Sequence, residues 1–152
     1  MNTSYDAAKA GAKPPLDMTN MIIFAGLPLV ALILVPAWGV YHGYDGFQWG
    51  WAVAFLYLNG LSITGGYHRL WAHKSYEAKP ALKWFFAFWG AGALQNSILI
   101  WASDHRRHHR HVDDRDEDPY SASRGLWLSH MGWMLRKYRT NTTHFSNARD
   151  LH

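Results

Sequence analysis

Histidine is the residue type in this chain whose number and spacing could do chemistry. Ten histidines occur among 152 residues, and five of them fall into two short clusters. The first cluster is His68-Arg-Leu-Trp-Ala-His73, and the second is His105-Arg-Arg-His108-His109. Neutral imidazole is a good ligand for zinc, copper, iron and nickel. The two clusters therefore predict a metal site built from imidazoles.

The spacing within each cluster indicates which histidines could reach the same ion. The three histidines of the second cluster stand at i, i+3 and i+4, so they share one face of an α-helix. His68 and His73 are five residues apart, about 140° around an α-helix. That separation suits ligands that reach different metals, or a helix end that bends. His111 falls off the shared face of the second cluster and is a poor ligand candidate.

The absence of cysteine narrows the chemistry further. It excludes disulfides, zinc fingers, cysteine-held iron–sulfur clusters and cysteine nucleophiles. Five histidines without a thiolate exceed what one tetrahedral structural zinc site needs. They indicate a multinuclear site, and iron doing oxygen chemistry fits best. A single histidine in such a position is typical of an anchor at the membrane surface. Two spaced clusters, each at the end of an apolar run, argue against that role.

Three uncharged runs must position these histidines: residues 18–44, 46–68 and 84–103 contain no Asp, Glu, Lys or Arg. A membrane-spanning helix needs about 20 mostly apolar residues, so the first two runs predict transmembrane helices. The third run has basic residues at both ends, which predicts a membrane-embedded helix that is re-entrant or buried and returns to the same face. An ordinary third span is the alternative. The predicted fold class is therefore an all-α integral membrane protein with a cytoplasmic histidine-rich cap.

The distribution of Lys and Arg predicts the orientation in the membrane. The link at residues 41–45 contains neither type, whereas Lys9 and Lys13 precede the first run and four basic residues follow the second. The N-terminus and both histidine clusters are thus expected in the cytoplasm. Residues 1–17 are interpreted as a mobile lead-in and residues 18–152 as one domain. A bacterial inner membrane is favoured over the endoplasmic reticulum, because the lead-in is small.

Two stretches resemble the histidine boxes of membrane fatty acyl desaturases of the stearoyl-CoA, delta-9 type. Residues 61–76 contain GYHRLWAH, which resembles the first box, HxxxxH. Residues 101–110 read WASDHRRHHR, which resembles the second box, HxxHH. The DPY at residues 118–120 and the RGLWLSHMGW at residues 124–133 resemble the stretch that follows it. The resemblance covers residues 20 to 137, nearly the whole chain.

The resemblance implies a di-iron centre at the cytoplasmic face of a four-span helical domain. The reaction would use oxygen and two electrons to insert a cis double bond into a saturated acyl chain. The position that is usual in this family is delta-9. The electrons would come from a cytochrome b5- or ferredoxin-like donor and its reductase. The implied substrate is a fatty acyl thioester or acyl-lipid held at the bilayer, and no nucleic acid is expected as a partner.

The resemblance also assigns residues by position. The implied iron ligands are His68, His73, His105, His108 and His109. The implied substrate-binding residues are Gln95 and Trp101 at the bend of the acyl tunnel, Leu56 and Gly60 at its far end, and Asn20 near the head group. Packing in a buried helix would explain Gln95 and Trp101 equally well, and a helix cap would explain Asn20. Asp104 is expected to accept a hydrogen bond from a ligating imidazole.

Two departures from the family pattern qualify these expectations. Ser103 stands where animal acyl-CoA members usually have a basic residue, which leaves acyl-lipid and acyl-carrier substrates open. The family also needs a third box, HxxHH, and an Asn ligand beyond two more spans. No later HxxHH occurs among the 152 residues, and His144 and His152 lack the spacing. We therefore expect an N-terminal portion of a desaturase that has no turnover alone.

Three other functions compete with desaturation. A membrane hydroxylase would use the same kind of histidine-ligated metal site, and its product would carry a hydroxyl group instead of a double bond. A non-catalytic membrane metal-binding protein or transporter would place its ligands within the spans, whereas these lie at one predicted face. A nucleic-acid-binding module is suggested by the pI of 9.4 and the basic run around residue 107, and the hydrophobic runs argue against it.

Overall fold

The computed structural model describes residues 13–138 and 145–151, and across these residues the chain is helical without a β-strand. This confirms the predicted all-α fold class. The described residues divide into two compact units, one within residues 1–44 and 111–142 and the other within residues 45–110 and 143–152. Residues 1–12 of the predicted lead-in, together with His144 and His152, lie outside the described residues.

The first unit is built on the helix α1, Met18–His42, which includes a π-helical turn at Ile22–Gly26. The carboxylate of Asp17 caps α1 by accepting from the backbone N–H of Asn20 at 3.2 Å. The helix has 25 residues, its most apolar 18-residue stretch has a mean hydropathy of 2.4, and its apolar side chains are exposed. In the described part of the chain, α1 is the one helix long and apolar enough to cross a membrane.

The rest of the first unit is an acidic loop and a short helical segment. Asp118 is fully buried, and its carboxylate accepts from the backbone N–H groups of Asp113 and Tyr120. A π-helical turn at Leu128–Gly132 continues into an α-helical turn at Trp133–Leu135. The backbone N–H of Asp17 donates to the carbonyl of Leu135 at 3.0 Å, which ties this segment to the start of α1.

The second unit contains the longest continuous helical stretch. Helix α2, Gly46–Leu61, begins with a capping box in which Asp45 and Gln48 bond each other's backbone N–H. It runs without a break into a π-helix at Ser62–Ala72. The second predicted span falls on this stretch, which does not reach the apolarity of α1, so its crossing of a membrane stays a prediction.

The third uncharged run forms two helices where one was predicted. Helix α3 is Pro80–Ala91 and helix α4 is Ile98–Arg110. The intervening turn contains Leu94 and Asn96 in the left-handed region, with φ of 55° and 68°. Glycine has a low helix propensity, and Gly92 stands where α3 ends. The sequence expectation of one helix was wrong because uncharged composition alone does not show where a helix stops.

Helix α3 packs closely against the π-helix because two glycines lie at the contact. A Cβ atom added to Gly90 would lie 2.5 Å from the Tyr67 ring, and one added to Gly66 would lie 2.6 Å from the Cβ of Phe86. Tyr67 is 3% exposed and belongs to the small core of this unit. This close approach holds the residue before His68 in place.

Candidate metal centre

The π-helix brings the two histidines of the first cluster together. The backbone N–H of His73 donates to the carbonyl of His68 at 2.9 Å, the i+5 bonding that defines a π-helix. A π-helical turn contains more residues than an α-helical turn. Residues i and i+5 therefore lie on nearly the same side of the helix. The two Nε2 atoms are 3.1 Å apart. The pair therefore converges on one point, rather than pointing to opposite sides as ideal α-helical spacing would have it.

Helix α4 adds two more imidazoles to the same point. The Nε2 of His105 lies 3.1 Å from the Nε2 of His73 and 3.1 Å from that of His109. The ligand atoms of His68, His73, His105 and His109 all lie within 4.8 Å of one another. With metal–nitrogen bonds of about 2.1 Å, two ligands at right angles are about 3.0 Å apart. The donor set and its spacing therefore fit one bound metal ion.

The protonation state of two of these histidines also suits a metal ion. Burial, followed by the neighbouring imidazoles, lowers the pKa of His105 to about 3. Burial, followed by His68, His109 and Arg106, lowers the pKa of His73 as well. Both imidazoles are therefore neutral at neutral pH, and metal ligation requires the neutral form.

His108 lies beside this group and is not one of its four members. Its ring centroid is 5.4 Å from that of His109 and 6.1 Å from that of His105. The structure thus brings four of the five predicted ligands to one point and leaves the fifth adjacent. His111, the histidine judged a poor ligand, follows the end of α4.

One predicted substrate residue, Trp101, lies directly against the cluster, and a second, Gln95, contacts Trp101. The Trp101 ring stacks on His105 with 4.7 Å between centroids and 25° between planes. Its indole N–H donates to the side-chain oxygen of Gln95 at 3.1 Å. Leu56 and Gly60 are exposed on α2, and nothing lies within 4 Å of a Cβ atom added at Gly60.

Asn20, Asp104 and Ser103 have contacts that sequence spacing did not indicate. The Asn20 side chain donates to the carbonyl of Met134 at 2.8 Å within the first unit, and Asp17 supplies the cap that Asn20 was considered for. Asp104 pairs with Arg107 at 3.4 Å. Ser103 is 2% exposed, and its hydroxyl donates to the side-chain oxygen of Asn147 at 2.7 Å. Ser103 thus faces the interior of its unit.

Sequence reasoning missed Arg106, which it treated as part of a basic run. The guanidinium donates to two carbonyls at the end of the π-helix and forms a two-pronged ion pair with Asp150. Arg106 also lowers the pKa of Asp150 well below its usual range, with Lys74 contributing. The partner lies 44 residues away in the sequence, so no local spacing could reveal it.

The fold and the site together define a helical protein with a cluster of four histidines that could hold a metal ion. The family model of fatty acid desaturases matches residues 48–152. The chain belongs to the fatty acid desaturase family, a family of helical membrane proteins.

Individual relatives agree with this assignment. The chain is 41% identical over 122 residues to "Acyl-CoA desaturase 1" of Saccharomyces cerevisiae, a match that covers 80% of this chain and 23% of that protein. It is 37% identical over 132 residues to "Stearoyl-CoA desaturase" of Sus scrofa, covering 84% of this chain and 35% of that protein. The chain thus spans well under half the length of these relatives.

The relatives correct the predicted location. They come from budding yeast, fission yeast, pig and human, and are named acyl-CoA or stearoyl-CoA desaturases. These relatives point to the endoplasmic reticulum membrane, so the preference for a bacterial inner membrane was wrong. That preference depended on the size of the lead-in, which carries no physical information about the compartment.

Proposed function

We propose that the protein containing this chain is an oxygen-dependent fatty acyl desaturase with iron at the histidine cluster. The main support for the proposal is that the ligand nitrogens of four imidazoles lie within 4.8 Å of one another. A tryptophan ring stacks on one of these imidazoles. The names of the relatives support an acyl-CoA thioester as the substrate. Bound iron would supply the oxidising power that no side chain has.

The donor set supports iron rather than a structural zinc. All four donors are imidazole nitrogens, and the chain has no cysteine that could supply a soft thiolate ligand. We assign a first iron to His68, His73, His105 and His109. We assign His108 to a second iron, together with ligands from the remainder of the protein. Electrons would come from an external cytochrome b5- or ferredoxin-like donor and its reductase.

The chain's own residues would position the substrate. Trp101 presents a flat ring beside the metal cluster, and Gln95 fixes that ring through its indole N–H. An acyl chain packed against this ring would have one carbon pair held near the cluster, so that position selects the bond to be oxidised. Delta-9 placement and a cis product are parts of the same proposal. The stretch of 152 residues alone is proposed to have no turnover.

The test is expression of the full-length protein in a host whose fatty acids are then profiled. The expected result is a new cis double bond that requires oxygen, together with two iron ions per purified chain. His73→Ala should abolish the product. The 152-residue stretch, expressed in parallel, should give none.

Other outcomes would refute the proposal. Hydroxylated acyl chains would identify a hydroxylase, and iron carried across vesicle membranes would identify a transporter. A double bond made by the 152-residue stretch alone would show that its histidines suffice.

A further inference from the structure

We propose that Arg106 and Asp150 are a positioning pair that fixes the distance between His73 and His105 and thereby retains the metal. This inference rests on the proposed function, because it assigns the pair a role toward the iron. Arg106 and Asp150 lie in the same compact unit as the four histidines.

Arg106 uses every hydrogen-bond donor that its guanidinium has. Its Nε donates to the carbonyl of Ala72 at 2.9 Å, and Nη2 donates to that of Trp71 at 2.7 Å. Its Nη1 donates to the carbonyl of Asn147 at 2.6 Å. The two remaining N–H groups bond the two carboxylate oxygens of Asp150 at 2.7 and 3.0 Å. An arginine has five such donors, so one orientation of the side chain satisfies all of them.

The accepted carbonyls belong to the end of the helix that carries the first cluster. Carbonyls in the last turn of a helix lack partners within it, and a cation there is also favoured by the helix dipole. Arg106 therefore satisfies the helix end immediately before His73. The chain then turns through Lys74 at a φ of 53°, and the N–H of Ser75 donates to the carbonyl of Arg69 at 2.8 Å.

Asp150 connects the two clusters through their neighbours. Lys74 follows His73 in the sequence, and Arg106 follows His105. The carboxylate of Asp150 contacts both cations, with the Lys74 Nζ at 3.0 Å and the Arg106 Nη1 at 2.7 Å. One carboxylate thus bridges the side chains of the two residues that follow His73 and His105 in the sequence.

The experiment compares Arg106→Lys and Asp150→Asn with Arg110→Lys in the full-length, iron-loaded protein purified in detergent. Lysine keeps the charge of Arg106 but not its planar fork, and asparagine keeps the shape of Asp150 without its charge. Arg110 is an exposed basic residue of the same helix and serves as the matched control. The readouts are iron per chain, the rate of iron release to a chelator, helical content by circular dichroism and elution in gel filtration.

We expect iron release roughly ten times faster in both variants, as for other residues that orient metal ligands, with unchanged helical content and elution. The double variant should release iron no faster than Arg106→Lys, because the two residues act as one unit. Arg110→Lys should match the wild type.

Folded variants that release iron at the wild-type rate would overturn the inference, as would an equal effect of Arg110→Lys. If Arg106→Lys does not fold, Asp150→Asn alone decides. A wild-type protein that binds no iron would refute the proposed function and this inference together. If the wild-type protein binds iron and the variants release it at the wild-type rate, the inference is refuted and the proposed function is not.

Discussion

Burial and crowding act on the charge of His73 and His105. Protonating either of them places a cation about 3 Å from another ring nitrogen, and desolvation disfavours the charged form. The pKa of His105, at about 3, reflects this cost. A metal cation at this point would give the four nitrogens one electrophile to share. The neutral form of His73 and His105 is the form that metal ligation requires.

Replacing one ligand tests this arrangement residue by residue. His109→Ala removes an exposed imidazole whose Nε2 lies 3.1 Å from that of His105. We expect the purified full-length protein to lose more than half of the first iron, measured by elemental analysis, while its helical content is unchanged. His111→Ala, two residues further on, should retain the wild-type iron content. Equal iron in both variants would show that His109 is not a ligand.

The spacing of the histidines in the sequence was enough to select them as candidate ligands. It did not show how their side chains are arranged relative to one another. The i, i+3, i+4 spacing correctly placed His105 and His109 on one face of α4. The separation of His68 from His73 left two arrangements open, because α-helical geometry was applied to residues that form a π-helix. Arg106 was missed because its partners lie 34 to 44 residues away, and such contacts form only in the folded chain.

Helix α3 and the π-helix pack closely because glycines lie at their contact. Tyr67, whose ring occupies the space beside Gly90, precedes the ligand His68. A larger side chain at Gly90 would push this ring, and with it the start of the first cluster. Packing between these helices therefore bears on the metal site as well as on stability.

Gly90→Ala should destabilise the protein by about 1–3 kcal/mol, the usual cost of overpacking a core. Gly50→Ala is the matched control, because nothing lies within 4 Å of a Cβ atom added there. Alanine in a helix interior is favoured over glycine by about 0.5–1 kcal/mol, so the control should gain stability. Thermal unfolding in detergent should show midpoints that move in opposite directions. A higher midpoint for Gly90→Ala would contradict the packing described.

Element positions were partly predictable from the sequence. The uncharged runs correctly indicated helices, and Pro80 and the Asp45–Gln48 pair mark helix starts that follow known rules. The break between α3 and α4 was not foreseen, because hydropathy reports burial or lipid contact and not the backbone angles of a turn. Leu94 in the left-handed region is an example that no composition rule would give.

Across the whole molecule, polarity is divided unevenly along the chain. The mean hydropathy of −0.24 averages a polar histidine-rich part with α1, whose most apolar 18-residue stretch has a mean hydropathy of 2.4. Helix α1 exposes its apolar side chains along its length, and Leu32 near its middle is 73% exposed. Such a surface is stable in a lipid environment and costly in water.

Leu32→Arg should reduce the membrane insertion of residues 18–42. An arginine at the centre of a spanning helix costs about 2.5–3.5 kcal/mol on insertion scales, which shifts insertion by roughly a hundredfold. A glycosylation reporter fused to this segment measures the inserted fraction, and Leu32→Ile should insert as the wild type does. Equal insertion of the arginine variant would show that α1 does not cross the membrane.

The stacking of Trp101 on His105 has a consequence for substitutions within helix α4. A change of ring size at residue 101 would alter the packing on one face of His105, a proposed iron ligand. Under the proposed function Trp101 also borders the acyl chain, so a substitution there would change selectivity and metal retention together. Substitution of a residue away from the cluster, such as Leu56, would leave this stacking in place.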